Sequence, residues 1–366
     1  MFDLFGSVRV LLKLERICTD NNVFRLHYKA TVIMLVVSSL LVTSKQYFGD
    51  PIDCIVKKDS IPSRAIDTYC WVHSTFTVVR HLKGKVGQEV AHPGVAHHIP
   101  EEDMITYHKY YQWVCFMLFF QAVLFSIPRH LWKIWEGGRL RMLAVDLGCP
   151  LVGDTWNADR KKMLVEYLTA TTQHTHNFYA ARFAICEFLN LINVVGQIYF
   201  LDLFLDGMFR HYGPSVALFS SDEDVNPMDK VFPKMTKCTF YYFGPSGTLQ
   251  LIDALCVLPL NIVNEKIFVF LWFWYVILAI VSAVAVFYRA VLVVHKRMRV
   301  FLLLAQCRYM PRSEIDSIVQ NISFGDWFFL NQLGKNLNPV IFREVLLELA
   351  SQYDTKVFKQ QNTLHA

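Results

Sequence analysis

The sequence predicts an all-α membrane protein: four transmembrane helices with both termini cytosolic, two extracellular loops that carry disulfides and short β-strands, and a helical cytosolic region. Three observations predict it. First, the run from Ile267 to Tyr288 is uninterrupted by charge and is long enough to cross a ~30 Å hydrocarbon core as a helix. Second, 54% of residues are hydrophobic, only 18% are charged, and Phe alone occurs 29 times; a soluble domain of this length needs more polar surface. Third, the cysteines between the apolar runs fall in an even set on one side of the membrane, as an oxidising compartment requires.

The elements follow in order. Residues 1–22 form an N-terminal arm in which Phe2, Phe5, Val8 and Leu12 recur at helical spacing, which by itself suits a helix lying on the bilayer. Asp3, Arg9, Lys13, Glu15 and Arg16 interrupt it, so it lacks the apolar core of a signal peptide and is expected to be retained in the cytosol. Residues 23–48 make the first crossing, bounded by Lys29 and Lys45, with Ser38, Ser39, Thr43 and Ser44 giving it a polar face. Such hydroxyls suit close helix packing or the wall of a watery path. Residues 49–106, punctuated by Pro51, Pro62, Pro93 and Pro100, read as an ordered loop with short strands. The second crossing, 107–132, opens with an aromatic cluster, and Pro128 predicts a kink or an early end. Residues 133–181 are charged and helix-compatible.

The third crossing, 182–206, is the least apolar. Glu187, Asn190, Asn193 and Gln197 recur on one face; they read either as an interhelical hydrogen-bond stripe or as a functional carboxylate inside the membrane. Residues 207–266 form a second polar loop. The fourth crossing, 267–294, has Lys266 at one end and His295, Lys296, Arg297 and Arg299 at the other, with Trp272, Trp274, Tyr275 and Tyr288 suited to headgroup depth. Residues 295–366 read as short cytosolic helices, Ser313 capping one and Asn338 with Pro339 opening another.

The arm, the middle loop and the tail together hold more Lys and Arg than the two other loops, which places both termini inside. Cys54 and Cys70 then lie in the first extracellular loop and Cys238 and Cys256 in the second, while Cys18, Cys149 and Cys307 are cytosolic and Cys115 and Cys186 lie within crossings. Four extracellular cysteines allow three pairings, and their order alone does not choose among them. Asn321-Ile322-Ser323, a glycosylation-type triplet, falls in the cytosolic tail and should carry no glycan.

The chain shows no GxSxG, HExxH, Walker or Rossmann pattern. His92, His97 and His98, and His174 with His176, lack Cys or carboxylate partners at ligand spacing and read as ordinary loop residues. Neither cofactor, metal site nor catalytic residue is expected, and the modest net charge of +5 argues against nucleic acid. Membrane lipid is the partner the composition demands.

Tyr110-Tyr111-Gln112-Trp113-Val114 at the start of the second crossing resembles the signature of the innexin family of invertebrate gap-junction proteins. The resemblance extends to FRLHYK near Phe24, YFGDPIDC ending at Cys54, DTYCW around Cys70, EGGRLRML from Glu136, TKCTF around Cys238, FGPSG from Phe243, and LCVLPLNIVNEKIFVFLWFWY entering the fourth crossing. It covers essentially the whole chain, without departure from the family pattern, and is closest in character to an insect member. It implies a four-helix subunit with a helical cytosolic dome, self-assembling into a ring, an octamer, that docks to a matching ring on a neighbouring cell and can include other innexins. The protein would then sit in the plasma membrane at cell-cell gap junctions, as a docked channel or an undocked hemichannel that passes ions and small metabolites.

The resemblance further implies the nested pairing, Cys54 with Cys256 and Cys70 with Cys238. It folds the N-terminal arm into the cytosolic pore mouth in place of the surface helix, so that Met1, Phe2, Asp3 and Phe5, with Ser38 and Thr43, line the path. Two other readings share parts of the pattern. A four-span adhesion or scaffold protein would need no polar first crossing and no arm, and a membrane enzyme would need a partnered catalytic His or Cys at the interface.

Overall fold

The computed structural model describes residues 17–56, 62–99, 102–145, 147, 156–170, 173–219, 226–307 and 310–364. Four helices are long and apolar enough to cross the membrane: α1 (Asn22–Phe48), then those of Val114–Glu136, Thr175–Phe204 and Pro259–Val294. In chain order the other elements place β1 at Asp53–Ile55, α2 at Ser63–His73, β2 at Thr75–Val78 and β3 at Ile105–His108, before α3 at Val114–Glu136. Then come α4 (Arg139–Ala144), α5 (Ala158–Ala170), α6 (Gln173–Phe204), α7 (Phe209–Ala217) and α8 (Pro227–Val231). The chain continues with β4 (Met235–Phe243), β5 (Leu249–Val257), α9 (Pro259–Val294), α10 (Lys296–Gln306), α11 (Arg312–Asn321), α12 (Phe324–Gly334) and α13 (Pro339–Leu364). The chain forms two compact units, and each transmembrane helix contributes residues to both.

One unit holds residues 31–124 and 193–279. Its five strands form one antiparallel sheet in the order β1-β5-β4-β2-β3. β4 and β5 pair over all nine residues of each, but β1 reaches only Leu255–Val257 and β2 only Lys237. The outer half of the hairpin therefore has no sheet neighbour among the described residues. Beneath the sheet, Ile52, Ile66, Ala254 and Leu258 pack round the four disulfide cysteines. The long α9 begins at Pro259, well before its apolar run. Its 36 residues span about 54 Å at 1.5 Å each, more than the hydrocarbon needs. In the early turns the Asn261 amide donates to the Pro233 carbonyl at 2.8 Å, fastening the helix to the approach of β4.

The other unit holds residues 17–30, 125–192 and 280 onward. Its core is aromatic, with Phe24, Trp132, Phe183, Trp327, Phe328 and Phe329 all buried. Two local devices explain how the chain turns there. Gly137 and Gly138 both take left-handed φ, 63° and 75°, conformations that favour glycine. The Glu136 carboxylate then accepts from the N–H groups of Gly138 and Leu140 at 2.8 and 2.9 Å, opening α4. Ser323 and Asp326 form a capping box at the start of α12, satisfying exposed N–H donors. Burial opposes the charge on Asp326, but hydrogen bonds from His176, at 2.7 Å, and from Ser323 hold its carboxyl below the ordinary carboxylate range.

Several sequence expectations change. The second transmembrane helix itself begins at Val114, and residues 105–108, read above with or near the crossing, form β3. α3 does not end at Pro128 but continues to Glu136. Proline removes the N–H that would reach the Leu124 carbonyl, and the Asn193 side chain donates to that carbonyl instead, at 3.3 Å. Ser313 does not cap a helix: α11 starts at Arg312 with Pro311 in the cap position and no side-chain cap bond, since proline's fixed φ presets the helix entry. Asn338 does cap α13, its side chain accepting from the Val340 N–H at 2.9 Å.

Candidate functional site

The two extracellular loops are joined by Cys54–Cys256 and Cys70–Cys238, the nested pairing. Cys54 and Cys256 are direct cross-strand partners of β1 and β5, and Cys70 lies on α2 beneath β4. Among the described residues the one metal-like cluster is Cys54, Cys70 and Cys256, whose sulfurs these bonds already use. The two bonds close loops of 202 and 168 residues, so they restrict the unfolded chain strongly.

The Tyr110–Val114 motif is the joint between this cross-linked platform and α3. Tyr110 donates to the Val231 carbonyl at 3.2 Å and meets the Phe232 ring edge-on. Tyr111 is fully buried, stacks at a tilt against Trp71 and donates to the Cys70 carbonyl. The Gln112 amide donates to the Trp71 carbonyl. Trp113 is exposed, and Val114 is buried where the helix starts. The signature thus grips the disulfide-bearing α2 from one side and the second loop from the other.

On α1 the polar face is divided. Ser39 is buried and donates to the Cys115 carbonyl at 2.9 Å, and Thr43 donates to the Ser39 carbonyl of its own helix at 2.7 Å. Ser38 and Thr43 are half-buried, while Ser44, Tyr47 and Phe48 are exposed. Met1, Phe2, Asp3 and Phe5 lie outside the described residues, as do Cys149 and the His174 side chain. His92 and His98 are half-buried and His97 is exposed.

Sequence reasoning missed a second site, where the chain enters α1. Residues 18–21 are each held by side chains. The Asn336 amide accepts from the Cys18 N–H at 2.6 Å and donates to the Cys18 carbonyl at 2.9 Å. The Trp132 indole donates to the Thr19 carbonyl at 3.1 Å, and Arg129 donates to the Thr19 hydroxyl. Asp20, buried, meets Arg129, Arg25 and the Tyr28 hydroxyl. The Asn21 amide donates to Glu187 at 2.6 Å, while its carbonyl oxygen caps α1.

Glu187 in turn accepts two bonds from Arg289, at 2.8 and 2.9 Å. This bidentate pair joins the third and fourth crossings, and it explains both the carboxylate of the polar stripe and the arginine that ends the apolar run. The guanidinium lies between the rings of Phe183 and Phe328, 5.1 and 4.9 Å from their centroids, an attraction of charge to ring quadrupole. Beside the pair, Asn21, Glu187, Asn190 and Ser282 border a space of about 10 Å³, room for one water. The signal in the sequence was a carboxylate in one apolar helix and an arginine in another, which must find each other. Nothing in the sequence pointed to Asn336, Trp132 or Asp20.

A family model described as Innexin matches residues 20–353. The chain is similar to Innexin inx2 of Schistocerca americana, 58% identical over 359 residues that cover 97% of this chain and 99% of that protein. It is similar also to Innexin inx2 of Drosophila melanogaster, 56% identical with 96% of each chain covered. Innexin shaking-B of Drosophila melanogaster is 43% identical over 96% of this chain and 95% of its own.

Proposed function

The chain belongs to the innexin family, and from that premise we propose how it makes a pore. Innexins form a family of channel proteins, and this chain is a gap-junction channel subunit, a multi-pass protein of the plasma membrane. Four helices with lipid-compatible faces do not enclose a wide water path alone, so the pore is made by a ring of copies, an octamer, closed by rotational symmetry. Residues 1–16 fold into the cytosolic mouth, where Met1, Phe2, Asp3 and Phe5 line the path together with the Ser38 and Thr43 face of α1. The ring docks to a matching ring on the next cell and accepts other innexins as neighbours.

The observation that best supports docking is the cross-linked sheet. Two disulfides and a signature motif fix both loops in advance, and a surface ordered before contact loses less entropy on binding. Beyond its sheet neighbours the β4–β5 hairpin exposes Tyr241, Phe243, Leu249 and Leu251, apolar surface suited to burial against the partner ring. Paired cells expressing the protein test this reading: electrical coupling and transfer of a small dye are expected. Cells that adhere without passing either would show a junctional scaffold instead. An axial image of the purified ring counts its copies.

A further inference from the structure

We propose that Asn336 is a positioning residue for channel opening: through it the C-terminal helical region sets where the N-terminal arm begins. The proposal rests on the reading above that residues 1–16 reach the pore mouth, and it adds what holds them. The fastening of residues 18–21 is uneven in origin. Thr19, Asp20 and Asn21 are held by side chains of α1, α3 and α6, helices fixed by the bilayer. The Cys18 backbone, the next residue toward the arm, is held on both its N–H and its carbonyl by Asn336, which follows α12 in the soluble tail.

The chemistry is specific. A primary amide offers one acceptor and two donors, and Asn336 uses them together: it receives the Cys18 N–H, gives to the Cys18 carbonyl, and gives to the Gln332 carbonyl at 2.8 Å. That last bond ties the amide back to α12, whose residues Trp327 to Leu333 are all buried. A carboxylate of the same shape would keep the acceptor and lose both donors. The last bonds holding the chain before the arm are therefore a property of the tail's packing, not of the transmembrane helices, and any rearrangement of α12 moves the origin of the arm in every copy of the ring.

The test uses full-length channels recorded as undocked hemichannels and in paired cells, comparing wild type, Asn336→Ala and Asn336→Asp, each with and without residues 2–16. Asn336→Ala is expected to change the open-to-closed ratio at least roughly threefold, the scale of losing ordinary hydrogen bonds, with unit conductance and copy number unchanged. Asn336→Asp should fall between. In the background lacking residues 2–16 the substitution should add nothing, because the lever has no arm to move. An unchanged ratio in the full-length Asn336→Ala channel overturns the proposal, and so does an equal shift without the arm. If Asn336→Ala does not reach the surface, Asn336→Asp carries the same comparison. If removing residues 2–16 leaves conductance, selectivity and opening as in wild type, the pore-arm reading fails as well, which separates that failure from a failure of Asn336 alone.

Discussion

In the extracellular sheet, segments 202 and 168 residues apart are joined by covalent bonds; around residues 18–21, a segment is joined to Asn336, 318 residues away, by hydrogen bonds from one amide. Both devices close very long chain loops. The difference lies in what each lets the region do. A disulfide in an oxidising compartment does not open on the timescale of signalling, so the sheet keeps one shape for its partner. Hydrogen bonds each contribute about 1 kcal/mol net, so the cytosolic clamp is strong as a set and separable one bond at a time. A docking platform benefits from the first property and a gate from the second.

The comparison breaks most severely at the disulfides. Cys70→Ser or Cys54→Ser should lower stability by about 5 kcal/mol on the chain-entropy account of loops this long, enough to abolish surface expression. Reductant applied to purified protein should lower the melting temperature of the wild type sharply. If reduction left both melting and docking unchanged, covalent order would not be what the sheet contributes.

Next in size is the buried ion pair. Glu187→Gln or Arg289→Met alone leaves one charge buried without its partner and should cost about 3–5 kcal/mol. The double substitution Glu187→Met with Arg289→Met should recover most of that loss, because apolar side chains of similar size need no counter-charge. Thermal unfolding of the detergent-solubilised protein measures all three. A double variant as unstable as the singles would show that the Asn21 bond to Glu187, not the pair, holds the site.

What the sequence made legible was set by the bilayer and by redox chemistry. Long apolar runs gave the four helices, the charge bias gave their direction, and the even cysteine count on one side gave the covalent platform, because each signal is carried by composition alone. Partnership between distant residues was less visible. Gln112 could be quoted as part of a motif, yet its bond to the Trp71 carbonyl follows from the path of α2. Asn193 could be placed on a polar stripe, yet its use depends on a carbonyl freed by Pro128 one helix away. The nine-residue strands of the second loop also escaped, since Lys237, Thr239 and Tyr241 alternate with residues nearly as apolar and give no clear period of two. Asn336 carries no local signal at all: an asparagine following a helix reads as an ordinary end.

A smaller effect distinguishes the two regions by pH. Burial pushes His108 on β3 down to about 4 from its ordinary 6.5, while its ring bonds the Thr77 hydroxyl at 3.0 Å. The unfolded chain takes up a proton below 6.5 and the folded sheet resists until about 4. Stability from this group is therefore complete above pH 6.5 and falls as pH drops toward 4, by up to about 3 kcal/mol. His108→Gln should remove that slope. Asp326 in the cytosolic unit behaves oppositely: its carboxyl lies below the ordinary 3.8, so its contribution is complete above that value and is lost only in stronger acid. Unfolding followed between pH 6.5 and 4 should thus show His108-dependent loss in the sheet and no loss traceable to Asp326.

The smallest expected effect is none, and it tests on which side of the membrane each region lies. Asn321-Ile322-Ser323 has the glycosylation pattern but belongs to the cytosolic helices, and no glycan should attach. Its silence alone would be ambiguous. The Asn321 amide donates to the Ser317 carbonyl at 2.8 Å and the Ser323 hydroxyl is engaged by the capping box, so an ordered triplet could resist modification even outside the cell. The hairpin turn between β4 and β5 supplies the missing control. Ser246→Asn creates Asn-Gly-Thr with Thr248 in a fully exposed turn, where Gly247 already takes the left-handed φ of 76° that an Asn-Gly turn favours. Expressed in the same cells, the Ser246→Asn protein should gain a glycosidase-sensitive mass shift, and Asn321→Gln should change nothing. A shift in the wild type that vanishes in Asn321→Gln would place the clamp, rather than the sheet, outside the cell, and would reverse every assignment that separates the two.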